Sequence, residues 1–264
     1  MAARGGLASL VRNVESQPRA IVFLAVPDSA VPGLAAELAD QGTRVPPSVA
    51  FVHVSGALNL EALAPLRVDH AIGSFHPLQS FPEPRPSAAF RGIVVAVDAS
   101  TDALRRRLAA LARALGARPK HVEDGQRVLY HAAAVFASNY LDAVLHEAVR
   151  LLEAAGWGRQ EAVKALVPLA RGAIANLGKR GTVAALTGPV RRGDEDTIRR
   201  HLDALDALDP RWSRGGPQVA AVYRMLGQIA LEIAKEAGLE PAAAERVRRA
   251  LTRNVAATRR RRRG

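Results

Sequence analysis

Residues 20–28 read AIVFLAVPD. The apolar run from Ala20 to Val26 is too short for a membrane span. It is also too continuous for a half-exposed strand, which alternates polar with apolar. It fits a strand buried on both faces of a parallel sheet. Pro27-Asp28 end the run. Asp28 or Ser29 can cap the helix that the pattern places over 30–40, and Gly42 can close that helix. The same rhythm continues downstream. VAFVHV (49–54) predicts a second strand that stops at Ser55-Gly56, and a short helix fits 60–66. Residues 71–75 predict a third strand, which runs into His76-Pro77 and a loop carrying Pro82, Pro84 and Pro86. IVVAV (93–97) is a fourth strand, 101–115 a helix closed by Gly116, and 118–122 an edge strand. Strands alternating with helices at this spacing predict a parallel α/β sheet.

Past Glu123 no strand pattern remains. A long helix is expected from Gly125 to Ala155, followed by helices over 159–177, 195–208, 217–237 and 241–257, with Gly238 separating the last two. The expected organisation is an irregular segment (1–19), a sheet domain (20–122), an all-α bundle (123–257) and a basic tail (258–264). No repeat of fixed period is present.

Composition narrows the function classes. Apolar residues make up 48% of the 264 and aromatics only 4%, so the core must be built from Ala, Val, Leu and Ile. The absence of cysteine excludes disulfides, thiolate metal sites and a cysteine nucleophile. No apolar run reads as a membrane span, and residues 1–19 lack the apolar core of a secretory signal. A soluble cytoplasmic protein is expected. The net charge is +12, and Arg259 to Arg263 carry five of those charges. Most of the excess is arginine on helices, which reads as solvated faces. No aromatics interleave with the terminal run, so nucleic-acid binding through it is the weaker reading.

Several residue groups can carry chemistry, and each has a plain structural alternative. Ala25-Val26-Pro27-Asp28 can be an ordinary strand-to-helix turn, and Ser55-Gly56 a simple turn. His76 can pack its loop through the ring, or act near neutral pH as an acid or base. On a continuous helix His131, Ser138, Asn139, Asp142 and His146 share a face about 100° wide. That face meets solvent or a cleft; His131 and Asn139 are expected to face the cleft. His131, Ser138 and Asp142 do not make a hydrolase triad, because a triad is normally assembled from separate elements. Thr187-Gly188-Pro189 and Arg192-Gly193-Asp194 form an interhelical loop, with Asp194 capping the next helix. No metal-ligand spacing is present.

Five of these stretches occur in a telling order: AIVFLAVPD (20–28), HVSGAL (53–58), GSFHPLQSFP (73–82), YHAAAVFASNY (130–140) and ALTGPVRRGD (185–194). Together they resemble the Rossmann-like/DUF2520 proteins, a family similar to pyrroline-5-carboxylate, prephenate and related NADP-dependent dehydrogenases. The resemblance spans roughly residues 20–237. It implies an α/β Rossmann-like sheet followed by a helical domain, an NADP or NAD cofactor, and a small carbonyl, imine or hydroxy substrate in an interdomain cleft. Under it, Ala25, Val26, Pro27, Asp28, Ser55 and Gly56 contact the nicotinamide side of the cofactor. His76 and His131 become the acid–base candidates. Ser138, Asn139, Thr187 and Arg192 orient the substrate, the last by pairing with a carboxylate. A homodimer through the helical domain is also implied.

The chain departs from that pattern at its start. A complete Rossmann domain opens with a strand and G-x-G-x-x-G, which cradles the pyrophosphate. Arg4-Gly5-Gly6 has neither the spacing nor a preceding strand. By the resemblance, the strand at 20–26 corresponds to the fourth of a full fold, so the sheet reads as incomplete by on the order of 60 residues. A truncated gene model, a sheet completed by another chain, and a non-catalytic dimeric binding protein that has lost the cofactor all remain open.

Overall fold

The computed structural model describes residues 19–40, 45–208 and 218–253, together with Val14 and Gln17. The expected helix stop at Gly42, most of the segment 1–19 and the Arg259 to Arg263 tail lie outside the described residues.

The chain forms two compact units, one running through Asp142 and the other from Ala143 onward. The first is built on a five-stranded sheet: β1 (Ile21–Leu24), β2 (Ala50–His53), β3 (Ile72–Pro77), β4 (Val94–Ala99) and β5 (Arg118–His121). The strands lie in sequence order across the sheet. β1, β2 and β3 pair in parallel, as do β4 and β5.

β3 and β4 pair antiparallel, which corrects the expectation of a wholly parallel sheet. A parallel neighbour would need a crossover, usually a helix. Residues 78–93 offer only a four-residue 3₁₀ turn (Ser87–Phe90), and Pro82, Pro84 and Pro86 forbid anything longer. The chain therefore turns back beside the strand it has left. The structure also carries β3 through His76 and Pro77, so His76 is a strand residue rather than a loop residue.

The period-2 alternation of the strands divides the core in two. Val22, Leu24, Phe51 and Ile72 pack with Val31, Ala35 and Leu38 of α1 (Val31–Asp40), and with Leu60, Leu63 and Leu66. Those three leucines sit on the expected short helix at 60–66, which is 3₁₀ and contains Pro65. On the opposite face Ala50, Val52, Phe75, Val95 and Val97 pack against Leu104, Leu108 and Ala112 of α2 (Asp102–Ala114). Thr101 starts α2, its side chain accepting from the Leu104 N–H at 3.2 Å.

The long helix expected over 125–155 is two: α3 (Arg127–Ala137) and α4 (Asn139–Ala154). Ser138 breaks it at φ −125°, ψ −74°. Its hydroxyl donates to the Ala134 carbonyl at 2.9 Å, the back-bond that competes with helix hydrogen bonding. The stretch 124–154 has the length and mean hydropathy (1.2) to cross a membrane, contrary to the sequence expectation. The break leaves pieces of 11 and 16 residues, each short of the roughly 20 a span requires.

In the second unit follow α5 (Arg159–Ala184), α6 (Pro189–Arg192), α7 (Glu195–Asp206), α8 (Val219–Glu236) and α9 (Pro241–Thr252). α5 outruns its expected end at 177, passing a non-helical Gly181. Val190, Ile198, Leu202, Leu231, Val247 and Leu251 form this unit's core. Asp194 caps α7 as expected, accepting from the Thr197 N–H at 3.0 Å.

Gly73 is fixed by the β3–β4 contact. A Cβ there would lie 3.0 Å from the Asp98 carbonyl oxygen and 3.1 Å from Leu108. Gly73→Ala is expected to cost about 1–3 kcal/mol through overpacking. Urea titration checks this, and a midpoint equal to wild type would refute the packing account.

Candidate active site

The carboxyl ends of β1, β2 and β3 lie on one side because the three strands run in parallel. Their following residues carry most of the sequence candidates. Ala25, Pro27 and Asp28 are exposed after β1, and Val26 is half-buried. Asp28 does not cap a helix: Pro27 occupies the cap position in extended geometry, and no side-chain cap bond forms. Instead the Asp28 carboxylate accepts the Ser55 hydroxyl at 2.7 Å. The same Ser55 oxygen accepts from the N–H groups of Ala57 (3.1 Å) and Leu58 (3.0 Å). Ser55 thus latches the turn after β2 to the turn after β1.

Gly56 is buried, and its missing side chain is used by two imidazoles. A Cβ at Gly56 would lie 2.6 Å from His131 Nδ1 and 2.8 Å from His76 Nε2. The two rings, centroids 6.2 Å apart, therefore converge over this residue. His76 Nδ1 is hydrogen-bonded to the Tyr130 hydroxyl at 2.8 Å. Burial pushes the Tyr130 phenol up to about 12, so its hydroxyl stays protonated. In the tautomer where that hydroxyl donates, Nδ1 accepts and Nε2 carries the ring proton. Burial, followed by the His131 and Arg127 charges, lowers His76 to about 4, against a smaller pull from Asp28. His76 is a neutral imidazole at physiological pH.

Beneath this pair lies a buried cluster that sequence reasoning missed. His53, Ser74 and His76 alternate onto the sheet face that also carries Phe51 and Ile72. Arg127, the first residue of α3, has no exposed surface. It donates to the Ser74 hydroxyl, and its Nε lies 3.4 Å from Asp124. Asp124 in turn accepts the Leu60 N–H at 3.2 Å. His53 is also fully buried, and neither ring nitrogen has a hydrogen-bond partner among the described residues. Burial, then Arg127, lowers it to about 4, while Asp28 and the Asn59 backbone oppose the shift.

Two cavities open from this end of the sheet unit. One, of about 480 Å³, is lined by His76, Tyr130, His131, Ser138, Asn139 and Asp142 among others. It gathers His76 with four residues of the polar stripe, His131, Ser138, Asn139 and Asp142, and the break at Ser138 is part of its wall. The other, of about 560 Å³, is apolar and shares His76. His146, on the sequence-predicted stripe, is exposed on α4. Thr187 and Arg192 belong to the helical unit, where both are exposed. No cluster of three or more metal-ligating side chains occurs among the described residues.

A nicotinamide dinucleotide makes two demands. Its pyrophosphate needs free N–H groups at a helix start. The turn after β1 offers Pro27, which has no N–H, and Asp28, whose carboxylate carries like charge, so it does not fit a pyrophosphate. The ring end needs a short-chained, open turn beside a proton donor. Ala25 and Pro27, exposed at the end of β1, fit that part.

Residues 93–230, more than half of the chain, match the family model for the domain of unknown function DUF2520, and residues 8–77 match a Rossmann-like domain. Solved structures share the fold. A Bacteroides fragilis protein provisionally described as an NADP oxidoreductase is 24% identical, with a TM-score of 0.65, over 80% of this chain and 75% of its own. A Thermotoga maritima protein is 24% identical, with a TM-score of 0.67, over 82% and 79%. A Plasmodium falciparum pyrroline carboxylate reductase, solved with NADP bound, is 10% identical, with a TM-score of 0.50, over 90% and 80%. No curated protein sequence gives a significant match.

Three imidazoles, His53, His76 and His70, are lowered from their ordinary value, chiefly by burial, and set a pH dependence led by the first two. Between pH 6.5 and about 4 the unfolded chain takes up protons that folded His53 and His76 refuse. Stability is therefore fully present above 6.5 and falls as pH drops, approaching about 1.4 kcal/mol per pH unit for each group. The urea midpoint should decline between pH 7 and 5, and His53→Gln should flatten that decline. A variant as pH-sensitive as wild type would refute the assignment.

Proposed function

The chain belongs to the DUF2520 family, and from that membership we propose that it is a nicotinamide-dependent oxidoreductase acting on a small carbonyl, imine or hydroxy compound. The observation that carries this reading is the neutral His76, held by Tyr130 and turned with His131 over Gly56 at the rim of a cavity.

Bound cofactor would supply or accept the hydride. The exposed turn Ala25–Asp28 would hold its ring end, with the Ser55 latch keeping that turn in place. His76 Nε2–H would hydrogen-bond to the substrate's carbonyl oxygen or imine nitrogen and stabilise the charge that develops there, while His131 would supply the proton in reduction and take it back in oxidation. A neutral donor suits the task of His76, because it needs no prior protonation at pH 7. Ser138 and Asn139 orient the substrate from the break between α3 and α4.

One observation favours a second reading, a binding protein without catalysis: the helix start after β1 repels a pyrophosphate. Titration with NADPH separates the two. The oxidoreductase reading expects saturable binding below millimolar concentration, and a rate for a matched substrate that falls about 10²–10⁴-fold in His76→Ala. No binding of NADPH or NADH at millimolar concentration would exclude the enzyme reading for this polypeptide.

We also propose a homodimer. Val128, Leu129 and Phe136 expose one apolar stripe of α3 at 72%, 78% and 67%. Met225, Leu226 and Ile229 expose another on α8, and Ile174 and Leu177 do so on α5. Isolated apolar residues on a surface are ordinary, but stripes of this kind mark association faces. Light scattering should return twice 28.1 kDa; a monomer at micromolar concentration would count against the dimer.

A further inference from the structure

The second cavity has a character of its own. Only six phenylalanines occur in the chain, and four of them, Phe23, Phe75, Phe81 and Phe90, line this one space. Such concentration is not what a generic core does with scarce aromatics, since both cores of this unit are mainly aliphatic. Phe23 and Phe75 meet edge to face from the sheet, centroids 5.7 Å apart. Phe81 and Phe90 meet from the proline-rich loop, centroids 5.6 Å apart and planes tilted by 33°. The cavity, at about 560 Å³, lies within the usual range for small-molecule sites. Pro82, Pro84 and Pro86 restrict the backbone of the loop that carries Phe81, so little ordering entropy remains to be lost on binding.

One charge reaches this apolar space. Arg85 lines the cavity and has neither ion-pair nor hydrogen-bond partner among the described residues. Among the described residues no carboxylate lines the cavity to neutralise it. A guanidinium at the mouth of an aromatic chamber matches a ligand with a flat apolar body and one planar anionic group.

We propose that this cavity binds a ring-bearing carboxylic acid, its ring among the four phenylalanines and its carboxylate on Arg85. The proposal follows from the lining alone. The chamber is distinct from the cavity in which the oxidoreductase reading places its substrate, although His76 lines both.

Calorimetry with three unreactive probes tests it, because the probes separate ring from charge: 3-phenylpropionate has both, 3-phenylpropan-1-ol only the ring, and propionate only the charge. The first should bind at least tenfold more tightly than either of the others. Arg85→Met should remove that advantage over the alcohol while leaving the alcohol's affinity unchanged. Phe81→Ala should weaken both ring-bearing probes. Both sites are exposed, so unchanged circular dichroism is expected and verifies that each variant folds. Equal binding of propionate and 3-phenylpropionate, no binding at millimolar concentration, or indifference to Arg85→Met would overturn the proposal. So would displacement of 3-phenylpropionate by NADPH, which would assign the chamber to the cofactor ring. Acid binding without NADPH binding would uphold the cavity and remove the oxidoreductase reading.

Discussion

A guanidinium with no exposed surface must be matched where it sits, and that requirement organises the carboxyl ends of the strands. Arg127 reaches from the start of α3 to Ser74 on β3, while Asp124 joins it to the start of the Leu60–Leu66 turn. Three segments distant in sequence are held by one cation and its carboxylate partner. Leaving such a charge without its partners costs several kcal/mol, more than an exposed ion pair returns. The same charge disfavours protonation of His53 and His76. Burial is the larger cause of their neutrality, and the cation that closes the sheet end reinforces it.

The sheet sorts its chemistry by alternation. From β2 and β3, the side chains on one face bring His53, Ser74 and His76 together, and those on the other bring Val54 and Phe75. The polar set meets α3, and the apolar set meets the proline-rich loop. Backbone hydrogen bonding is satisfied within the ladder, so the strand tips can devote their side chains to a polar-lined chamber on one side and an apolar one on the other.

Some of this was legible in the residues and some was not. The strand at 20–26 declared itself because seven apolar residues without alternation have few other homes. The antiparallel β4 did not, because strand direction depends on whether the connection crosses over, and a proline-rich loop has no periodicity that reveals it. The break at Ser138 was hidden since the apolar pattern runs on through it, and one residue's dihedrals leave no trace in composition. His76 and His131 stood out by type, yet their meeting over Gly56 joins three points remote in sequence. His53 passed as core in an apolar strand, although its place two residues before Ser55 was a usable hint. Arg127 was one basic residue among 37. The aromatic chamber could have been suspected from Phe81 and Phe90 flanking the prolines, in a chain with so few rings.

His76 borders both chambers. A single imidazole in a common wall is a mechanical link: an occupant that turns the ring on one side alters the shape and hydrogen-bonding capacity offered on the other. Linkage makes that influence reciprocal, so whatever factor the first occupant imposes on the second's affinity, the second returns in full. Cooperativity between two small ligands can thus arise here from the rotation of one side chain, with no movement of the backbone.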